Sequence, residues 1–308
     1  MASRPDKLML LDTASLYFRA FYGVPDKVKA EDGTSVNAAR GLLDIIAKLV
    51  TTYEPTRLVA CWDDDWRPGW RVELLPTYKA HRVVEAVAGA PDVEEVPEAL
   101  TAQIPLIRDT LTALGIAVVG AADHEADDVI GTLASRADVP VDIVTGDRDL
   151  FQLVDDARGI RVIYTARGMS NLDIIDDAAV QARYGIRAAQ YADFAALRGD
   201  PSDGLPGVPG IGEKSAAALL TACGDLPGIR TAAADGTAGS PAQRAKILAA
   251  AEYLDVAPTV VRVARDLDLT PADDRIHVDD SRAAAATELA ARWNLGTSMT
   301  RALTALRG

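Results

Sequence analysis

The sequence predicts an α/β fold, a mostly parallel central sheet flanked by helices, with a smaller all-helical part after it. Two observations carry this. Up to about residue 175, short β-rich runs alternate with longer helical patterns, the rhythm of parallel strands joined by crossover helices. Beyond that point β-rich runs become scarce and short helical patterns follow one another. The expected division is therefore 1–175 and 176–308.

The strands are expected at residues 8–11, 58–61, 141–144 and 161–164, each a compact run rich in Val, Leu, Ile or Tyr. Helical patterns occupy 14–22, 37–52, 97–114 and 126–136 in the first part, and 178–184, 188–198, 214–222 and 241–254 in the second. Residues 84–95, with Gly89 and Pro91 among Ala, Val and Glu, read as a mobile loop or arch, and 233–240 as a flexible loop.

Hydrophobic residues make up 49% of the 308 and aromatics only 5%, so the core is expected to be built from Ala, Val, Leu and Ile. The two cysteines, Cys61 and Cys223, have no CxxC or histidine-spaced partner, which argues against a zinc site or a disulfide framework and fits a reducing cytoplasm. The apolar run near the N-terminus is broken by Asp12 and is too short for a signal peptide or a membrane span. A net charge of −13 argues against nucleic acid on its face, unless bound cations reverse the local sign where carboxylates gather.

Carboxylates do gather at telling places. Asp12 closes LMLL and Asp63 closes LVACW, each just past the end of an expected strand, and VDIV runs into Asp147 and Asp149. Residues beyond the carboxyl ends of parallel strands converge on one crevice although distant in sequence. Glu125, Asp127 and Asp128 open a helix, where the macrodipole alone also favours acids. Asp200 and Asp203 stand in a turn rich in Asp, Pro and Gly, a pattern that also occurs without function. Gathered together, such a set needs counter-charge, and all-oxygen ligation without nearby His or Cys suits Mg²⁺ or Mn²⁺. Two such ions roughly 4 Å apart can activate water and stabilise a leaving oxygen, the chemistry of phosphodiester hydrolysis. His81, His124 and His277 are scattered, and no Ser/His/Asp arrangement supports acyl transfer.

The segment GVPGIGEKS, 207–215, fails the Walker spacing because Glu213 precedes Lys214, and it lacks the context of a dinucleotide fingerprint. It fits a turn between two helices, with Gly210 and Gly212 exposing amides at a helix N-terminus that can dock on a phosphate; a purely structural tight turn is the alternative. Between residues 66 and 82, Arg67, Arg71, Lys79 and Arg82 interleave with Trp66, Trp70 and Tyr78, a pattern that can hold phosphates and stack a base, or that marks an amphipathic surface segment. The run 16–22 reads mainly as core packing, with Arg19 as a phosphate contact.

In this order, LMLLD with Arg19, WD ending at Asp63, Arg71 with TYKAHR, HEADDVIGTLA, VTGDRDLFQLV and GDPSDGLPGVPGIGEKSA resemble the bacterial flap endonucleases, including the 5′ nuclease domain of DNA polymerase I, over nearly the whole chain. The resemblance implies a PIN-like 5′ nuclease core and a helix-three-turn-helix element at 202–218. It implies a first metal among Asp12, Asp63, Glu125 and Asp127, and a second among Asp147, Asp149 and Asp203, with Asp128 and Asp200 assisting. Arg71 and Lys79 would meet the scissile phosphate, and Arg19 and Arg82 the flap strand. Tyr78, Ser202, Gly207, Gly210, Gly212 and Lys214 complete the expected DNA contacts, with a potassium ion at the helix-hairpin turn. Two departures stand out: Gly204, where the similar proteins usually carry Asn, and the added acids Asp64 and Asp65.

The sequence ends at Gly308 without a polymerase domain, so the expectation is a stand-alone, monomeric, cytoplasmic and nucleoid-associated nuclease for DNA with a 5′ flap or free 5′ end. A non-catalytic DNA-structure-binding protein and an RNA-directed nuclease or phosphatase are the competing readings.

Overall fold

The structure is a computed structural model that describes residues 5–85 and 92–308. Its strands are β1 (Leu8–Asp12), β2 (Arg57–Cys61), β3 (Val83–Glu85), β4 (Val93–Glu94), β5 (Ala117–Val119), β6 (Val141–Thr145), β7 (Ile160–Tyr164) and β8 (Asp173–Ile175). Six of them form one sheet in the order β5-β2-β1-β6-β7-β8, parallel throughout except for the edge strand β8. β3 and β4 form a separate antiparallel ladder. They flank residues 86–91, so the expected arch at 84–95 has paired strands on its two sides, and its middle lies outside the described residues.

The helices are α1 (Thr13–Gly23), α2 (Asn37–Tyr53), α3 (Gly69–Leu74), α4 (Glu98–Thr101), α5 (Ile104–Ala113), α6 (Ala126–Arg136), α7 (Asp177–Tyr184), α8 (Tyr191–Arg198), α9 (Glu213–Cys223), α10 (Leu226–Asp235), α11 (Pro241–Ala249), α12 (Ala251–Val261), α13 (Asp280–Arg292) and α14 (Gly296–Arg307). The pattern read as one helix over 97–114 is two, α4 and α5. Gln103 at the break turns its side chain to the amides of Ala38 and Ala39, and Pro105 starts the second helix. The pattern over 241–254 likewise breaks at Ala250, and α12 continues to Val261 with Pro258 inside it.

β1 is buried at every position, as a central parallel strand covered on both faces must be. Side-chain alternation then divides the core in two. Leu8 and Leu10 join one apolar cluster with Val129 and Ile130 of α6 and residues of α8, α9 and α12. Met9 and Leu11 face the other, with α1, α2 and α5.

The C-terminal helices follow the second pattern. Ala286, Ala290, Met299, Ala302 and Leu306 share the cluster of Leu43 and Ile46 on α2, so α13 and α14 pack on the α/β layer. The expected helical unit 176–308 therefore does not pack as one piece: its last thirty or so residues return to the first part.

Candidate active site

With the six sheet strands numbered along the chain, the order is 3-2-1-4-5-6, which reverses direction beside β1. Open α/β sheets bind their ligands at such a reversal, outside the carboxyl ends of the strands. The pairing of Asp12 with Cys61 and of Leu11 with Val144 brings the ends of β2, β1 and β6 level. Asp12 ends β1, Asp63 lies just past β2, and Asp147 just past β6. The N-terminus of α6 adds Glu125 and Asp127.

These five carboxylates line one cleft of about 510 Å³, together with Asp64, Lys79 and Arg82. Tyr17, Phe18, Trp62, Trp66, Val96 and Ile104 also line it. Local hydrogen bonds aim the acids. Thr145 Oγ1 donates to Asp12 Oδ2 at 2.6 Å and accepts from the Asp147 amide at 2.8 Å. The Ala126 amide donates to Asp63 Oδ1 at 2.7 Å. Ser15 both donates its amide to Asp12 and accepts from the Gly146 amide at 3.0 Å. Thr145 and Ser15 were missed in the sequence; the one signal for them is their place beside a strand-ending aspartate.

The electrostatics are those of a site short of positive charge. Burial, then the neighbouring carboxylates, pushes Asp12 up to about 6 and Asp63 up to about 7. Burial also raises Asp127 and Asp149 well above the usual carboxylate range, with Asp147 the largest repelling neighbour of each. Asp203 is pushed up to about 6 by burial, against the pull of Lys79.

Four expected site residues are used differently. Asp128 is fully buried and turned from the cleft: Arg71 grips both of its oxygens, and the Ala264 amide donates to Oδ1 at 2.8 Å. Arg71, only 2% exposed, also bonds Glu125 Oε2 and the Val260 carbonyl, so it faces these partners, whereas Lys79 and Arg82 line the cleft. Tyr78 is buried as well, its hydroxyl donating to Glu125 Oε2 at 2.6 Å. Asp200 does not line the cleft; it caps the turn at Ser202 and pairs with Arg148 and Arg198. Asp203 pairs with Arg82, and the ammonium of Lys79 with Glu125 Oε1. Of the two added acids, Asp64 lines the cleft, and Asp65 accepts the Arg67 amide at 3.0 Å.

Among the described residues no three His, Cys, Asp or Glu side chains already close around one point. The donor set nonetheless fits hard divalent cations: it is all oxygen, crowded, short of counter-charge, and includes Asp149 Oδ1, a buried acceptor without a hydrogen-bond donor.

The glycine-rich segment forms the connection between α8 and α9. Gly207 and Gly210 adopt left-handed backbone, φ +68° and +74°. A Cβ on Gly207 would stand 2.5 Å from the Gly199 amide. The Val208 amide donates to Leu197 O, which ties the turn to α8. Gly212 caps α9 without a side-chain bond, and Lys214 is exposed on its first turn. Arg19 reaches toward Gly146 at the cleft's edge, with its Nε buried and without an acceptor.

Residues 7–185 match the family described as 5′-3′ exonuclease, N-terminal resolvase-like domain, and residues 186–284 its C-terminal SAM fold. The chain belongs to the 5′-3′ exonuclease family. As a family member it is an enzyme, and its relatives agree. It is 60% identical to a 5′-3′ exonuclease of Streptomyces coelicolor over 97% of this chain and 99% of that one, and 49% identical to one of Mycobacterium tuberculosis over 97% of each. DNA polymerase I of Mycobacterium bovis matches at 42% identity over 71% of this chain but 23% of the polymerase. The fold is also that of the T5 D15 protein co-crystallised with metal ions, at a TM-score of 0.64 and 18% identity over 98% of this chain and all of that one. The catalytic core of Rad2 in complex with DNA substrate shares it at a TM-score of 0.60 and 18% identity, over 99% of this chain and 93% of that one. Among the described residues, no helix is long and apolar enough to cross a membrane.

Proposed function

We propose that this family member hydrolyses DNA phosphodiesters at 5′ flaps and free 5′ ends, leaving a 5′-phosphate and a 3′-hydroxyl, in DNA replication and repair. The observation that carries the reading is the meeting of Asp12, Asp63, Glu125, Asp127 and Asp147, from three adjacent strand ends and one helix, with Lys79 and Arg82 in one cleft.

Asp12, Asp63, Glu125 and Asp127 would hold one divalent cation, and Asp147, Asp149 and Asp203 another. Bound there, Mg²⁺ or Mn²⁺ supplies Lewis-acid activation of water and stabilisation of the leaving oxygen. The chain's own groups do the rest. Lys79 and Arg82 bind the phosphate and meet the charge that builds on it. Arg71 and Tyr78 hold one oxygen of Glu125, so that its other oxygen faces the cleft. Tyr17, Phe18 and Trp66, which line the same cleft, offer aromatic faces to an unpaired base.

The duplex rests on the turn between α8 and α9 through the free amides of α9 and Lys214. A potassium ion suits the carbonyl side of that turn, where the Lys246 ammonium already lies 3.4 Å from Gly210 O. The test is cleavage of an end-labelled 5′-flap DNA with Mg²⁺ or Mn²⁺ and mapping of the product ends. Cutting near the junction with a 5′-phosphate product is expected; binding without cutting under either metal supports the non-catalytic reading, and preference for the matched RNA supports an RNA-directed one.

A further inference from the structure

Lys79 enters the cleft from an unusual backbone. Its φ is +46°, in the left-handed region that a lysine rarely adopts and that surrounding contacts must maintain. Those contacts come from the start of the duplex-docking connection. The Lys79 amide donates to Asp203 O at 3.0 Å. Two residues earlier Thr77 Oγ1 donates to Gly204 O at 2.7 Å, and three residues later Arg82 Nη2 donates to Ser202 O at 2.8 Å and Asp203 Oδ1 at 3.1 Å. Every donor lies on the strap 77–82 and every acceptor on the three consecutive residues 202–204.

The approach is close because position 204 has no side chain. A Cβ there would stand 1.9 Å from Thr77 O and 3.2 Å from the Lys79 amide. Gly204 itself has φ +74°.

We propose that Thr77 and Gly204 are positioning residues: they latch the strap onto the turn, so that the Lys79 ammonium and the duplex-docking connection move as one piece. The latch acts through Lys79 and rests on the reading of that residue as a phosphate-binding group. It sets the distance between the docked duplex and the cleft, and therefore which phosphodiester is cut. Loosening it lets neighbouring phosphates reach the carboxylates and lets Lys79 relax out of its left-handed backbone.

The test uses the full chain and the variants G204N, T77V and T77S. Asparagine tolerates left-handed backbone, so G204N isolates the clash with Thr77 from any strain at position 204 itself. On a 5′-flap DNA with Mg²⁺, kcat is expected to fall about tenfold in G204N and several-fold in T77V, with a wider spread of product lengths than the parent gives. Flap affinity in Ca²⁺ should stay within about threefold, and T77S, which keeps the hydroxyl, should restore the parent pattern. In the K79A background G204N should add little, because both act through one group.

Hydrogen exchange of residues 77–82 gives a readout independent of cutting: about fivefold faster in T77V than in the parent or T77S, with β1 unchanged. Parent-like kcat and product lengths in G204N, or T77V and T77S behaving alike, overturn the latch. Should G204N fail to fold, the T77V and T77S pair decides. Should the parent itself not cut, the nuclease reading fails while exchange still judges the latch.

Discussion

Arg71 meets Asp128 fork to fork, with Nη1 2.8 Å from Oδ2 and Nη2 2.8 Å from Oδ1, and both side chains are buried. The pair joins three parts of the chain, since Arg71 also bonds Val260 O and Asp128 accepts from the Ala264 amide. Breaking one side of such a pair leaves a buried charge without a partner, at a cost of about 3–5 kcal/mol. R71M is therefore expected to lower unfolding free energy by that order in denaturant melts, whereas R82A, at a half-exposed side chain, costs under about 1 kcal/mol. Equal losses in the two variants would contradict the assignment of Arg71 to holding the site together.

Lys79 and Arg82 should separate chemistry from binding. K79A is expected to lower kcat on a 5′-flap DNA by about 10² or more, with flap affinity in Ca²⁺ changed only a few-fold. A rise in Kd with kcat intact would make Lys79 a binding residue instead.

The α8–α9 connection should do the reverse. K214A is expected to weaken duplex binding similarly across sequences and to lower the slope of log affinity against log salt by about 1. An unchanged salt slope would remove Lys214 from the phosphate contact.

The carboxyls also set a pH dependence. Asp12 and Asp203 are pushed up to about 6 and Asp63 to about 7, burial being the first cause of each. A carboxyl whose folded pKa lies above its unfolded value of 3.8 contributes stability that is full below about pH 4 and lost as pH rises through 6 to 7. Asp6, Asp26, Asp32 and Asp279 are held below the usual range, so their contribution changes only at more acidic pH. In chelator, the melting temperature should therefore fall by several degrees between pH 5 and pH 8. Added Mg²⁺ should raise it more at pH 8 than at pH 5, because cations bind the deprotonated acids. Equal melting at both pH values would count against the crowded, counter-charge-poor cleft.

Much of this site was legible in the sequence because its geometry follows from strand ends. Asp12, Asp63 and Asp147 each follow a compact apolar run, and parallel pairing makes those ends level. The i, i+3 spacing of Glu125 and Asp128 put both on one helix face, across which Arg71 lies. What the spacing could not show is which direction each acid faces: Asp128 turns to Arg71 because of a segment more than 130 residues away. Arg71 and Arg82 belong to one short stretch of sequence, and only distant contacts, with Glu125, Asp128 and Val260, hold Arg71 in the interior while Arg82 lines the cleft. β5 and β8 escaped notice because each is only three residues long. The return of α14 to α2 was hidden because an Ala- and Thr-rich amphipathic helix carries no label for the face it will meet.

The most direct measurement is anomalous diffraction from crystals soaked in Mn²⁺. Manganese peaks are expected in the cleft, among Asp12, Asp63, Glu125 and Asp127 and beside Asp147, Asp149 and Asp203, and they should vanish from the first group in D127N. No peak there at saturating Mn²⁺, or peaks only at unrelated surface acids, would contradict the account.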